Sequence, residues 1–219
     1  MSIAVNLKKI KTGIPENITL VAVSKTKSNN EILEAYHAGQ RVFGENKIQE
    51  MTQKWSELPK DIEWHMIGHV QRNKVKYMVP YVTLIHGVDS IKLLKEINKQ
   101  ANKEQRVISC LLQMHIAEEE TKFGFDEDEL KALLDSGVLK ELEHVQIKGL
   151  MGMATFTENA SQIRKEFKTL KAMFETLKKE LPDIAELSMG MSGDYSIAIE
   201  EGSTMLRIGS SIFGVRNMT

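Results

Sequence analysis

Short apolar segments alternate with longer amphipathic segments along the whole chain. Eight of the short segments are rich in β-branched and other apolar residues, a pattern that predicts strands. Several of them, such as Leu20–Val23, are apolar without alternation, which is typical of parallel strands buried on both faces. The predicted strands are Ile18–Thr26, Arg41–Glu45, Glu63–Gly68, Leu84–Val88, Val107–Ile116, Gln146–Ala154, Glu186–Ser192 and Met205–Gly209.

The segments between the predicted strands have the periodicity of amphipathic helices. The clearest is Asn159–Leu181, where apolar residues recur at steps of three and four and lysines and glutamates fill the opposite face. A further amphipathic segment, Ile3–Ile10, precedes the first strand. The remaining predicted helices are Asn29–Ala38, Lys47–Leu58, Asn73–Met78, Ile91–Asn102, Asp126–Asp135 and Tyr195–Glu201.

Eight strands in strict alternation with seven helices favour a (β/α)₈ TIM barrel, here with an extra N-terminal helix. Such barrels begin at about 200 residues, so a chain of 219 residues is predicted to form one compact barrel domain over residues 1–219. An open, doubly wound sheet is the structural alternative. The chain has neither a glycine-rich nucleotide fingerprint after the first strand nor a P-loop, which are the usual signals of that fold.

Composition narrows the class of protein. The 29 Lys+Arg and 30 Asp+Glu residues give a net charge of −1, which argues against binding nucleic acid or an anionic membrane through the overall field. A single cysteine excludes an internal disulfide and indicates a reducing compartment. No apolar run reaches the roughly 18 residues of a membrane span, and the first residues do not have the pattern of a secretory signal. We therefore expect a cytoplasmic protein.

The chemistry of a TIM barrel lies at the carboxyl ends of its strands, so polar residues at those positions are the candidates. Lys25 closes the first predicted strand. Desolvation there would lower the pKa of a lysine, and a neutral amine can form a Schiff base with an aldehyde. The alternative is that Lys25 extends to solvent, as Lys27 does.

Two segments rich in glycine and serine form the ends of the seventh and eighth predicted strands, the usual phosphate-binding positions of a barrel. They are Ser188–Gly193 and Gly209–Gly214, and the short predicted helix after the first could direct its N-terminus at the same place. Either segment alone could be an ordinary tight turn. Together with a lysine and an arginine on the same rim, they indicate a ligand that carries a phosphate.

Two further features favour structural roles. The spacing of His65 and His69 could suggest a metal site, but the pattern lacks the glutamate of the metalloprotease motif and lies on a strand, so no metal is predicted. Cys110 lies within a predicted strand and is expected to be a small core residue.

Five blocks of sequence, in order, resemble the pyridoxal phosphate homeostasis protein family, which is related to the N-terminal barrel of the alanine racemases. Together they span nearly the whole chain, and this makes the match specific. The blocks are 21–27 (VAVSKTK), 43–46 (FGEN), 64–74 (WHMIGHVQRNK), 187–192 (LSMGMS) and 207–214 (RIGSSIFG).

The resemblance implies a cofactor, pyridoxal 5′-phosphate (PLP), held as a Schiff base on Lys25. It also implies that Asn46 lies near the cofactor ring and that Arg207 faces the pyridine nitrogen. His65 and Ile67 would line the ring pocket.

The phosphate of the cofactor would, by the same resemblance, contact Ser192, Gly209 and Ser210. Two positions depart from the family pattern. Ser210 and Ser211 stand where the family often has threonine and alanine, a change that keeps the hydroxyl. His115 stands where the family commonly has asparagine, so the resemblance assigns no role to the loop after the fifth strand.

The function implied is a monomeric protein that sequesters PLP and supplies it within the cell, with PLP-requiring apoenzymes as recipients and with little or no turnover. One alternative is a PLP-dependent racemase or decarboxylase, and another is an aldolase that forms a Schiff base with a sugar phosphate. Racemases of this fold use a tyrosine from a second domain, and only five residues follow Gly214. We therefore expect no efficient turnover.

Overall fold

The computed structural model describes residues 2–119 and 123–214. Its eight parallel strands form a closed barrel in chain order, and β8 pairs with β1 through the register Val21 to Arg207. The predicted TIM barrel is confirmed. The strands are β1 (Thr19–Val23), β2 (Val42–Glu45), β3 (Glu63–Met66), β4 (Leu84–Val88), β5 (Ile108–Met114), β6 (Val145–Gly152), β7 (Glu186–Ser188) and β8 (Met205–Ile208).

Helical segments connect each strand to the next, and one further helix precedes β1 as predicted. Short 3₁₀ turns occur at Arg72–Lys74 and Val138–Glu141. The α-helices are α1 (Ile3–Gly13), α2 (Asn29–His37), α3 (Ile48–Glu57), α4 (Val75–Met78), α5 (Ile91–Lys103), α6 (Glu127–Asp135), α7 (Ala160–Glu180), α8 (Tyr195–Glu200) and α9 (Ser210–Phe213).

Local sequence explains where several helices begin. Ser28 and Asp126 accept hydrogen bonds from the backbone of Glu31 and Glu129, whose carboxylates bond back to the capping residues. These capping boxes satisfy backbone N–H groups that have no partner within the helix. The capping residue of α2, Ser28, thereby lies three residues beyond Lys25.

The buried apolar residues form two clusters, one inside the barrel and one between the strands and the helices. The smaller contains Val21, Leu84, Leu111, Met151 and Met205, which come from β1, β4, β5, β6 and β8. Strands that are not neighbours in the sheet can contact only across its interior, so this cluster fills the barrel. The larger cluster joins the outer faces of the strands to the helices.

Several strands end earlier than the hydrophobic pattern predicted. Strand β1 stops at Val23 and β7 at Ser188, so Lys25 and Ser192 lie in the loops that follow. The backbone leaves the extended conformation at Thr26 and at Gly190, whose φ angles are 64° and 99°. At Gly190 a Cβ would also come within 2.6 Å of Ala198 Cβ, so a larger residue would strain this turn.

Two helical predictions also change. The helix predicted at Asn73–Met78 is a 3₁₀ turn followed by the short α4. The helix α9 has no counterpart in the predictions, because one turn of four residues is too short to show a helical period. Among the helices of the described ranges, none combines the length and the apolar character that a membrane crossing requires.

Candidate functional site

A cavity of about 1000 Å³ lies at the carboxyl ends of the strands. Residues in or after β1, β2, β3, β6, β7 and β8 line it, as expected for the functional end of a barrel. The site residues predicted from the sequence that line this cavity are Lys25, Asn46, Ile67, Ser192, Arg207, Gly209 and Ser210.

Lys25 is partly buried and lies two residues beyond the end of β1. The next residue, Thr26, has a left-handed φ of 64°, which a β-branched residue rarely adopts. The backbone N–H of Thr26 donates to Glu50 Oε1 at 2.6 Å, and that of Lys27 donates to Ser24 O at 3.0 Å. These two bonds hold the turn that places Lys25 at the cavity.

A buried ionic cluster ties the ends of β1 and β2 to α3. Lys54 Nζ donates to Glu45 Oε1 at 2.8 Å, to Glu50 Oε1 at 2.7 Å and to Ser24 O at 2.8 Å. Ser24 Oγ donates to the same oxygen of Glu45 at 2.6 Å. Burial raises the pKa of Glu45, and the charge of Lys54 acts in the opposite direction. The cluster therefore fixes the backbone directly before Lys25 and Asn46.

Asn46 and Ile67 lie side by side because a glycine allows their loops to touch. A Cβ on Gly68 would lie 2.5 Å from the carbonyl oxygen of Asn46, so no side chain fits there. The side-chain amide of Asn46 makes no hydrogen bond within the described ranges. It is therefore available to a ligand in the cavity.

The two predicted phosphate loops lie next to each other at the cavity. Ser192, Gly209 and Ser210 all line the cavity, and their loops follow the neighbouring strands β7 and β8. Asp194 Oδ1 accepts a hydrogen bond from the backbone N–H of Met191 at 2.5 Å and fixes the first loop. The two serine hydroxyls bond to no other described residue. The loops thus present small residues and unused donors.

Arg207 is the buried cation of the site, only 4% exposed. Its Nη1 donates to Ser188 O at 2.9 Å and Ser188 Oγ at 2.5 Å, and its Nη2 donates to Gly152 O at 2.9 Å. Burial lowers the pKa of Arg207 to about 10, while the carboxylate of Asp194 acts in the opposite direction. The guanidinium remains charged at neutral pH and lies at the wall of the cavity.

His65 is not among the residues that line the cavity. It is buried on β3, and its Nδ1 lies 3.0 Å from Nε2 of His86. Burial lowers the pKa of His65 to about 3. Its predicted place at the cofactor ring stays a prediction. Its sequence neighbour His69 instead contacts Asp89 at 2.9 Å, and residues 2–119 and 123–214 contain no cluster of three metal-ligating side chains.

The loop after β6 was missed by sequence reasoning. Residues 153–157 line the cavity, and both the N–H and the hydroxyl of Thr155 bond to the buried carboxylate of Glu166 at 2.7 Å. The next side chain, Phe156, is 96% exposed. This loop carries no charged residue before Glu158, so charge did not mark it as functional.

Ser188, a partner of Arg207, and His86, a partner of Ser188, were also missed. His86 is the one polar side chain in the otherwise apolar strand β4 (LIHGV), and this could have served as a signal. The distance of 3.0 Å between His86 Nδ1 and Ser188 Oγ joins positions 102 residues apart, which only the closed barrel brings together.

Comparison with known proteins places the chain in a family. Residues 1–217 match the alanine racemase N-terminal domain family. A pyridoxal phosphate homeostasis protein of Aquifex aeolicus is 40% identical over 209 residues, covering 94% of this chain and 91% of that protein.

Solved structures agree with this match. The structure of PipY from Synechococcus elongatus PCC7942 without PLP is 36% identical and superposes with a TM-score of 0.92. The structure of the same protein with PLP bound superposes with a TM-score of 0.89, and each comparison covers 97% of this chain and 100% of PipY. The chain therefore belongs to the alanine racemase N-terminal domain family and, within it, to the pyridoxal phosphate homeostasis proteins that its five sequence blocks indicated.

Proposed function

We propose that this protein binds PLP in the cavity at the carboxyl end of the barrel and holds it for supply to other proteins, with little or no turnover. The observation that carries the proposal is that one cavity joins Lys25, the two loops with serines and Arg207. PLP has an aldehyde that suits the amine of Lys25, a phosphate that suits the donors of the two loops, and a pyridine nitrogen that suits the cation of Arg207. The relative PipY has a structure with PLP bound, which supports PLP as the ligand.

The residues present fit the cofactor. When bound, PLP supplies an aldehyde that condenses with primary amines. Lys25 would be the point of covalent attachment. Ser192, Gly209 and Ser210 would hold the phosphate, because all three line the cavity and the two serine hydroxyls have no partner among the described residues. Asn46 would lie beside the pyridine ring of the cofactor.

Low turnover follows from what surrounds the attachment point. Within the described ranges, the cavity is lined by no histidine, tyrosine or cysteine. Of the charged groups that line it, Lys27 pairs with Glu31 at 3.2 Å, and Asp194 Oδ1 is held by a backbone N–H. A positioned acid or base typically contributes about 10²–10⁴-fold to a rate, so a site without a second one should react slowly.

The proposal also includes the setting in which PLP is handed on. We infer a monomer in the cytoplasm with PLP-requiring apoenzymes as recipients. The single cysteine, Cys110, is buried and its pKa is raised by that burial, which suits a reducing compartment where no disulfide is needed. Light scattering after size exclusion should give the mass of one chain, and a dimer mass would contradict the monomer.

The test of the binding site uses Lys25→Ala beside Lys27→Ala. After incubation with PLP and reduction with borohydride, wild type should carry the pyridoxyl group on the peptide that contains Lys25. Lys25→Ala should lose the visible absorbance of bound PLP and keep its far-UV circular dichroism. Lys27→Ala should keep the absorbance. A reduced label on any other lysine of the wild type would refute the assignment.

The test of turnover uses the PLP-loaded protein and a panel of L- and D-amino acids. Inversion, keto-acid formation and carbon dioxide release should all stay far below the rates of ordinary enzymes. A sustained rate of about 1 s⁻¹ or more would replace the proposal with a racemase or a decarboxylase. A protein that takes up no PLP but reacts with sugar phosphates would instead be an aldolase.

A further inference from the structure

Two histidines and a serine that the proposed function leaves unused form a line through the barrel. His65 lies on β3, His86 on β4 and Ser188 on β7, and none is more than 4% exposed. His65 Nδ1 is 3.0 Å from His86 Nε2, His86 Nδ1 is 3.0 Å from Ser188 Oγ, and Ser188 Oγ is 2.5 Å from Arg207 Nη1. Because β4 and β7 are not neighbours in the sheet, the line crosses the barrel interior and ends at the cavity wall.

The protons in this line have a preferred order. Arg207 can only donate, so Ser188 Oγ is its acceptor. The one other group near this hydroxyl in the described chain is His86 Nδ1. If His86 Nδ1 also donated, the hydroxyl proton of the fully buried Ser188 would have no acceptor, and such an unpaired buried group is costly. The hydroxyl therefore donates to His86, which carries its proton on Nε2 and donates to His65 Nδ1.

Every member of the line except Arg207 is neutral. Burial lowers the pKa of both histidines, and for His86 the nearby charge of Arg207 lowers it further. A carboxylate in place of Ser188 or His86 would neutralise the guanidinium and draw it into the barrel. Neutral acceptors hold the guanidinium in position without compensating its charge.

Arg207 retains donors for a ligand. Its Nη1 bonds to two oxygens of Ser188 and its Nη2 to Gly152 O, so the Nε–H and the second N–H of Nη2 bond to no described residue. A side chain that is 96% buried and still lines the cavity can satisfy these groups only with what the cavity contains.

We propose that His65, His86 and Ser188 are positioning residues that act through Arg207: a hydrogen-bond chain with all its protons directed away from the guanidinium holds that group as a fixed, charged donor to the ligand. This inference takes PLP as the ligand and in that respect rests on the proposed function. The order of the protons does not depend on any ligand.

The first test is made on the ligand-free protein. Side-chain ¹⁵N correlation spectra at about pH 7 distinguish the two neutral tautomers of histidine and the charged form. Both His65 and His86 should be neutral and carry the proton on Nε2. A proton on Nδ1 of His86, or a charged form of either ring, would overturn the proposal.

The second test compares variants by the dissociation constant for PLP. His86→Asn keeps an amide oxygen near the position of Nδ1, whereas His86→Leu removes the acceptor. His86→Asn keeps an acceptor for the Ser188 hydroxyl and should weaken binding by less than about threefold. His86→Leu leaves that hydroxyl without an acceptor, and Ser188→Ala removes a side-chain acceptor of Arg207, so each should weaken binding by about tenfold. At saturating PLP, the absorbance band of the cofactor should move in those two variants.

The matched control is His144→Leu. His144 also makes a hydrogen bond through Nδ1, to Arg106 O at 3.0 Å, but precedes β6 at the far end of the barrel. His144→Leu should leave the affinity for PLP and the absorbance band of the cofactor unchanged. If His86→Leu does not fold, Ser188→Ala and His86→Asn make the same comparison. Equal affinities of Ser188→Ala and wild type would overturn the proposal.

The two tests also separate this inference from the proposed function. A wild-type protein that binds no PLP would refute the proposed function, and the tautomers in the ligand-free protein would then decide the hydrogen-bond chain alone. Normal PLP binding with the wrong tautomers would refute the chain and leave the proposed function standing.

Discussion

Single residues at the cavity divide into those held firmly by the protein and those left open to a ligand. Arg207 and Asp194 are buried and have backbone partners at 2.5–2.9 Å. Ser192 and Ser210 line the same cavity but their hydroxyls bond to no other described residue. This arrangement suits a rigid site, because bonds to the protein fix Arg207 and the loop of Asp194 in place, and the serine hydroxyls and remaining donors of Arg207 are left for the ligand.

The residue-scale prediction concerns the two serines, Ser192 and Ser210. A hydrogen bond to a charged group contributes roughly 1.5–3 kcal/mol, and about 1.4 kcal/mol is a tenfold change in affinity. Ser210→Ala should therefore weaken PLP binding by about tenfold, and the double change at Ser192 and Ser210 should weaken it further. Titration followed by absorbance measures the dissociation constant. Ser161→Ala, outside the cavity on α7, is the control, and an unchanged constant in the double variant would contradict the prediction.

Elements position the site through contacts that lie behind the cavity. The long helix α7 supplies Glu166, which is 5% exposed and accepts hydrogen bonds from the N–H and the hydroxyl of Thr155. Gln162, one turn earlier, donates to the same carboxylate at 3.2 Å. One helix thus holds the polar part of the loop after β6 against the cavity.

The element-scale prediction is that Glu166→Gln loosens this loop. Glutamine has one acceptor oxygen where the carboxylate has two, so the N–H or the hydroxyl of Thr155 loses its partner. The free energy of unfolding should fall by about 1.5–3 kcal/mol, and the Thr155 amide should exchange hydrogen faster. Urea unfolding and hydrogen exchange measure the two effects.

The control for this change is Glu175→Gln on the same helix. Glu175 pairs with Lys171 at 2.7 Å on the exposed face, and pairs of that kind add little to stability. Its unfolding should resemble that of the wild type. If Glu166→Gln and Glu175→Gln behave alike, Glu166 does not anchor the loop.

At the scale of the whole molecule, closure of the barrel buries two neutral histidines. Their ordinary pKa is 6.5, and in the folded protein the pKa of His65 falls to about 3 while that of His86 falls well below its usual value. Below pH 6.5 the unfolded chain therefore binds more protons than the folded protein, so stability is lost as the pH falls. The raised pKa of Glu45 acts in the opposite direction, since its contribution is lost as the pH rises.

The whole-molecule prediction is a stability that declines on mild acidification. Each histidine contributes up to about 1.4 kcal/mol per pH unit once its unfolded form is protonated. Urea unfolding of the wild type should show a decline between about pH 6.5 and about pH 5.5, above the range where most carboxylates titrate. In His86→Asn the decline should be shallower, and equal slopes in the two proteins would refute this account.

Much of the architecture could be predicted because its cause is local. Apolar runs and a helical period identified all eight strands and the helix α7 to within a few residues. In a barrel, chain order alone brings the strand ends to one rim, so Lys25, Asn46, Ser192 and Ser210 could be placed at one site before any contact was known. Their position depends on where each strand ends and not on which side chain touches which.

The tertiary structure decided what lies behind that rim, because those contacts join residues far apart in the chain. His65 reaches His86 over 21 residues and His86 reaches Ser188 over 102, and no periodicity specifies either pair. The turn at Thr26 likewise depends on Glu50, which lies 24 residues later. Local sequence specified the strands and their order, whereas the partners of the buried polar groups were specified only when closure of the barrel removed water and made an unpaired donor costly.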